Sequence, residues 1–219
     1  QVVLLDTELE SAEKGKSYSR SLLEKRVGRG TMSEADAAAI LDRIQPTTEY
    51  QALEGCDLVI EAVFEDRKIK ADVTAKTEAV IPAGSIFASN TSAIPITELA
   101  ATNRPEKVLG LHFFSPVPMM QAVEVIKGVS TAHETAIKGK EFVRQIGKEP
   151  IMVNRDVAGF VINRINFPSA IEAMNLVEQC FATVEDIDKG LRMASGRRMG
   201  IFETGDMVGL DITYGAMMA

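Results

Sequence analysis

No apolar run in this 219-residue chain approaches the roughly 20 residues that a bilayer-spanning helix needs, so a transmembrane helix is excluded. The opening residues, QVVLLDTELE, hold no basic stretch leading into a long apolar one, so no secretory signal is read there. Cations are in the minority. The 24 Lys and Arg stand against 31 Asp and Glu, for a net charge of −7. That balance argues against nucleic acid as the main partner, although basic residues gathered locally can still hold an anionic ligand. Cysteine is scarce too. Cys56 and Cys180 lie far apart, match no metal-ligand spacing, and read as reduced thiols of a cytosolic protein rather than as a disulfide.

What is present has the rhythm of an α/β fold. Short apolar runs at Val2–Leu5, Asp57–Ala62, Ser85–Ala88, Val108–His112, Val123–Ile126 and Ile151–Val153 read as buried strands. Helical patterns at about 9–29, from Ser33 (a plausible N-cap) onward, at 67–80 and at 132–147 separate several of them. Strands alternating with helices imply parallel βαβ units and a Rossmann-type doubly wound parallel sheet. After Asp156 the texture turns helical, over Phe160–Cys180 and Val184–Met193, with no further strand expected. We therefore expect an α/β domain over 1–155, with a helical hairpin near 9–45, followed by a helical domain over 156–219. Both ends read as cut. In such a fold a strand ending in an acidic residue is the second one, and the first strand with its Gly-rich phosphate loop is not in the sequence.

Several residues could carry chemistry, each with a plainer alternative. Asp6 ends the first apolar run, where a carboxylate can accept from both hydroxyls of an adenosine ribose, or simply form a turn. Ser89-Asn90-Thr91-Ser92 follows a strand, at the edge where open α/β sheets place ligands; a polar turn is the alternative, and its glycosylation sequon is discounted for want of a secretory signal. His112 ends another strand, flanked by Phe113 and Phe114. An imidazole there can accept an alcohol proton while hydride leaves the neighbouring carbon, or it can be a core-edge histidine bonded to backbone. His133 reads as a solvated helix start and is given no role. Glu124 interrupts the run Ala122–Ile126. Either a partner such as an imidazole compensates its burial, or it faces water from an edge strand. Lys25 and Arg29 share a helix face that suits phosphates, or they are merely solvated. Asn163 can reach into a cleft or belong to a helix start.

In combination, Asp57–Glu65, Ser89–Ser92, His112-Phe113-Phe114, Val123–Ile126, Gly159–Arg164, Glu185–Asp188 and Val208–Asp211 resemble the L-3-hydroxyacyl-CoA dehydrogenase family over essentially the whole chain. The first half is especially similar to the dehydrogenase part of bacterial multifunctional β-oxidation enzymes. The resemblance implies NAD as cofactor, a 3-hydroxyacyl-CoA or 3-ketoacyl-CoA substrate, a cytoplasmic enzyme, and a homodimer formed through the helical domain. His112 then matches the catalytic base and Glu124 its paired carboxylate. Ser92 matches the serine that contacts the substrate 3-oxygen beside the nicotinamide, and Asn163 the asparagine that positions the thioester. Asp6 matches the ribose ligand, Glu65 and Lys70 match residues lining the NAD site, and Lys25 and Arg29 match the cations that hold CoA phosphates.

Three stretches depart from the family pattern. Ser115 stands where Asn is usual, three residues after the histidine, and a hydroxyl replaces only part of an amide's bonding towards nicotinamide or substrate. Ala158-Gly159-Phe160 replaces Pro-Gly-Phe, and Arg198-Met199-Gly200-Ile201 replaces Pro-Met-Gly-Pro. Two rival readings stand beside this one: a segment of a multifunctional hydratase/dehydrogenase, or a relative that has lost catalysis and serves as a structural or CoA-binding protein, as the lens λ-crystallins illustrate.

Overall fold

A computed structural model describes residues 1–102, 104–211, 213 and 214. The chain packs as two compact units, one of Gln1–Asp57 and Ala75–Ala83, the other of Leu58–Thr74 and Gly84–Ala219.

In the first unit, strand β1 (Val2–Leu5) leads into helix α1 (Leu9–Gly28), helix α2 (Glu34–Leu41) and strand β2 (Ile44–Thr47). Ser33 caps α2 as its sequence predicts, its hydroxyl accepting from the Asp36 N–H at 3.0 Å. Strands β1 and β2 pair in parallel, Leu4 opposite Pro46. The sequence reading has no strand at 44–47. The segment Ile-Gln-Pro-Thr has no apolar run, and its proline cannot donate to a ladder, which restricts it to an edge. Ala12, Leu23, Ala37 and Leu53 supply the buried side chains of this unit.

The second unit is built on five strands in the order β3 (Leu58–Glu61), β4 (Ile86–Ser89), β5 (Val108–Phe113), β6 (Ala122–Ile126) and β7 (Glu149–Val153). Helix α3 (Arg67–Glu78) follows β3, the short α4 (Ile96–Leu99) follows β4, and α5 (His133–Gln145) joins β6 to β7. Helices α6 (Ile162–Glu178), α7 (Val184–Ser195) and α8 (Ile201–Val208) come after the last strand, and no strand follows β7 among the described residues.

Two expectations about the sheet are corrected. The strands form two sheets, β1 with β2 and β3 through β7. And β6 runs antiparallel to β5, not parallel. The segment 114–121 between them is too short for the crossover of about a dozen residues or more that a parallel pair needs. The other pairings are parallel, so the fold is α/β with a mostly parallel sheet followed by helices, in keeping with the sequence.

Side-chain alternation sorts the core into two faces. Ile86, Ala88, Leu109, Leu111, Val123 and Val125 meet Val143 of α5 on one. Phe87, Val108, Ile126 and Val153 meet Ile96 and Phe160 on the other. Gly110 lies opposite Ile126 on this second face, and a β-carbon there would stand 2.8 Å from Cδ1 of both Ile126 and Ile96. Both neighbours are fully buried, so neither can swing away. Gly110→Ala is expected to destabilise by about 1–3 kcal/mol, read as a lower denaturation midpoint.

In the helical segment Asp188, 4% exposed, accepts from the Phe202 and Glu203 N–H groups at 3.0 and 2.9 Å. A β-carbon on Gly200 would fall 2.0 Å from the Asp188 Cγ, so this cap depends on that glycine. No helix among the described residues is long and apolar enough to cross a membrane, and no group of three or more His, Cys, Asp or Glu among them could hold a metal ion.

Candidate active site

Pairing register brings the first two candidates together. His112 on β5 lies directly opposite Glu124 on β6, so both side chains point to the same face of the sheet. Strand β6 is flanked by β5 and β7, which removes the reading of Glu124 as an edge residue facing water. Glu124 is 0% exposed and His112 4%.

A buried carboxylate stays charged only if hydrogen bonds replace its water. Here His112 Nδ1 lies 2.7 Å from Glu124 Oε2. The Val161 and Ile162 N–H groups both donate to Oε1 at 3.0 Å. Burial pushes the Glu124 carboxyl up; the bond from His112, the two backbone N–H bonds and the imidazole charge outweigh it and hold the group below the ordinary glutamate value. Each such bond to a charged group contributes about 1.5–3 kcal/mol. With Nδ1 donating to the carboxylate, the lone pair of the neutral ring sits on Nε2, the nitrogen then able to exchange a proton. The rings of Phe114 and Phe160 lie against the imidazole, with centroids 4.6 and 5.7 Å away.

The first turn of α6 supplies more than those two donors. Asn163 Nδ2 donates to the Ser92 carbonyl at 3.0 Å, which ties the helix start to the loop after β4. Asn90 Oδ1 accepts from the Phe113 N–H at 2.9 Å, and the Asn90 N–H donates to the Glu61 carbonyl at 2.8 Å. Asn90 thus joins the carboxyl ends of β3, β4 and β5 and fixes the backbone next to His112. Asp156 accepts from the Ile96 and Thr97 N–H groups and so holds the segment that continues from Ser92.

A second buried charge cluster stands at the end of β3. Lys70, 1% exposed, donates to Glu61 Oε1 at 2.6 Å and approaches Glu65 Oε2 at 3.3 Å. Glu61 Oε2 accepts from the Ser89 hydroxyl at 2.7 Å. Glu65 Oε1 accepts from the Thr91 hydroxyl and from the Ser92 and Ala93 N–H groups. Burial raises the Glu65 carboxyl; Thr91, the Lys70 charge and the Ala93 and Ser92 N–H groups together hold it below its ordinary value. Lys70→Met leaves Glu61 buried without its counter-ion, so the variant is expected to lose about 3–5 kcal/mol of stability. Adding Glu61→Gln should restore most of that loss in urea titrations. An equal loss in the double variant would mean the uncompensated charge is not the cause.

His112, Glu124, Ser92, Asn163, Glu65 and Lys70 therefore converge at one end of the five-stranded sheet. Ser115, two residues past β5, is exposed. Asp6, Lys25 and Arg29 belong to the other unit. Asp6 stands at the carboxyl end of β1, with Oδ1 accepting from the Thr7 N–H at 2.7 Å. Lys25 and Arg29 are exposed, at the last turn and C-cap of α1. Sequence reasoning missed Glu61, which interrupts an apolar run just as Glu124 does. It left Asn90 between a ligand-binding stretch and a polar turn, without its strand-joining role, and gave Phe160 no part.

Comparison with known proteins is consistent along the chain. Residues 1–157 match the family profile described as 3-hydroxyacyl-CoA dehydrogenase, NAD binding domain, and residues 159–219 that of the C-terminal domain. A 3-hydroxybutyryl-CoA dehydrogenase of Clostridioides difficile is 40% identical over 196 residues, 89% of this chain and 69% of that protein. A probable 3-hydroxybutyryl-CoA dehydrogenase of Deinococcus radiodurans is 39% identical, over 99% of this chain and 77% of its own length. The crystal structure of (S)-3-hydroxybutyryl-CoA dehydrogenase from Ralstonia eutropha superposes with a TM-score of 0.94 at 36% identity, covering all of this chain and 77% of that one.

Proposed function

Because the chain belongs to the 3-hydroxyacyl-CoA dehydrogenase family, we propose that it interconverts an L-3-hydroxyacyl-CoA and the 3-ketoacyl-CoA with NAD, using His112 and Glu124 as its acid–base pair. The observation that carries this reading is the buried 2.7 Å contact between His112 Nδ1 and Glu124 Oε2, at the carboxyl end of a strand in an open α/β sheet. His112 Nε2 takes the 3-hydroxyl proton. Glu124 fixes the tautomer and stabilises the imidazolium. Ser92 holds the reacting oxygen, and Asn163 positions the thioester side from the first turn of α6.

The donor set suits a dinucleotide. Asp6, Glu65, Ser92 and Ser115 each follow the carboxyl end of a strand, and Lys70 sets the charge of Glu65. Glu65, Lys70, Ser92 and Ser115 would hold NAD, and the family resemblance assigns the ribose hydroxyls to Asp6. When bound, NAD supplies the acceptor for the hydride that leaves C3. Lys25 and Arg29 take CoA phosphates, a role supported by their exposure on one helical face.

We place the reaction in fatty-acid β-oxidation or its reverse, butyrate-type direction, in the cytoplasm. The scarcity and wide spacing of cysteine suit a reducing compartment. We assign substrate binding and dimerisation to the segment 156–219, whose described residues carry α6, α7 and α8. Ile165, Ile171, Met174 and Met193, all exposed on α6 and α7, offer a second copy an apolar surface.

The test is loss of NADH absorbance with acetoacetyl-CoA as substrate. Turnover supports the dehydrogenase. Binding of acetoacetyl-CoA without turnover would favour a relative that has lost catalysis.

A further inference from the structure

The chain enters α6 through an unusual turn. Gly159 has φ +74° and Phe160 φ +50°, so a bulky non-glycine residue sits in the left-handed region that side chains rarely adopt. Such a conformation persists only where its surroundings enforce it, and it concentrates where geometry matters to function. The Phe160 ring, 2% exposed, is locked among Phe87, Ile96, Val108, Ile126 and Val153. Immediately after it come the two N–H groups that Glu124 Oε1 accepts.

We infer that Phe160 is a positioning residue for the acid–base pair, its buried ring holding the left-handed turn that aims the Val161 and Ile162 N–H groups at Glu124. This rests on the assignment of His112 and Glu124 above. Among the described residues the charge that bears on Glu124 is that of His112, and Arg164, on the same first turn of α6, is exposed. The two donors stabilise the carboxylate and so lower the affinity of the pair for a proton. Their loss leaves more of the Glu124 charge for the imidazolium.

Three substitutions separate the turn from the packing. Phe160→Ala removes the ring while still disfavouring a left-handed residue. Phe160→Gly removes the ring but adopts φ +50° freely. Gly159→Ala strains the turn and removes no buried group, its β-carbon meeting only ordinary contacts at 3.5 Å with Arg164 and Asn163. The readout is the titration midpoint of the pair, followed on the His112 ring protons by NMR. With two histidines in the chain, a His133→Gln background leaves one imidazole to observe.

Phe160→Ala and Gly159→Ala are expected to raise the midpoint by roughly one pH unit, with Phe160→Gly close to the parent protein. The acid limb of kcat/KM for the oxidation should move with it. If Phe160→Ala fails to fold, Gly159→Ala carries the test. A midpoint unmoved in Gly159→Ala, or moved as far by Phe160→Gly as by Phe160→Ala, would overturn the inference in favour of simple packing. The titration needs no turnover. Failure of the dehydrogenase assignment would appear separately, as wild-type protein inactive with acetoacetyl-CoA.

Discussion

His112→Gln is expected to lower the turnover of acetoacetyl-CoA and NADH by roughly 10²- to 10⁴-fold while leaving the protein folded. The amide is close in size to the imidazole and can still donate to Glu124 Oε2, so the buried carboxylate keeps a partner and the backbone bonds from Val161 and Ile162 are untouched. What disappears is the imidazole nitrogen that can accept the substrate proton and return it. In the reduction direction no acid delivers a proton to the new hydroxyl; in oxidation no base removes it. The melting curve of the variant separates this loss from misfolding. A folded His112→Gln protein retaining most of its turnover would remove His112 from the mechanism.

The strands could be read from the sequence because each is a short apolar run, and burial on both faces needs nothing more. Strand β2 could not, since Ile44-Gln45-Pro46-Thr47 is an edge strand held by one partner and carries no such run. The antiparallel turn of β6 was legible in principle from the short 114–121 connection, but a pattern of alternating elements favours the parallel assumption unless loop length is weighed against it.

His112 and Glu124 stood out for one physical reason, a polar group where an apolar one is expected. Their pairing came from the family resemblance and not from the strands themselves, because register is a property of two strands and is not written in either. The same holds for Lys70, whose burial between Glu61 and Glu65 depends on where α3 places it after β3. On composition alone it is one cation among 24. The left-handed Phe160 lay beyond sequence reasoning altogether. A helical pattern starting at Phe160 is the natural reading, yet α6 begins at Ile162 because the preceding turn is spent on reaching Glu124.

Glu124→Gln is the sharper test of how the pair works. The amide oxygen can accept from the Val161 and Ile162 N–H groups in place of Oε1, so the start of α6 stays docked. Its NH₂ then faces His112 Nδ1 and donates to it, which moves the ring proton to Nε2. The neutral imidazole can no longer accept the substrate proton there, and nothing stabilises the imidazolium. We expect kcat to fall by about 10²- to 10⁴-fold with little change in KM.

The same substitution changes the response to acid. The folded state holds the Glu124 carboxyl below its ordinary value, so its contribution to stability is complete above that value and is lost as pH falls through the lower, folded one. The parent protein should therefore lose stability on acidification more steeply than Glu124→Gln, with Glu65, lowered in the same direction, leaving a residual slope in both. Thermal melts taken from neutral pH down through the carboxylate range would show the two curves converging. Parallel curves would mean that Glu124 is not held charged by its three bonds, and the wrong-tautomer account of its activity loss would fall with it.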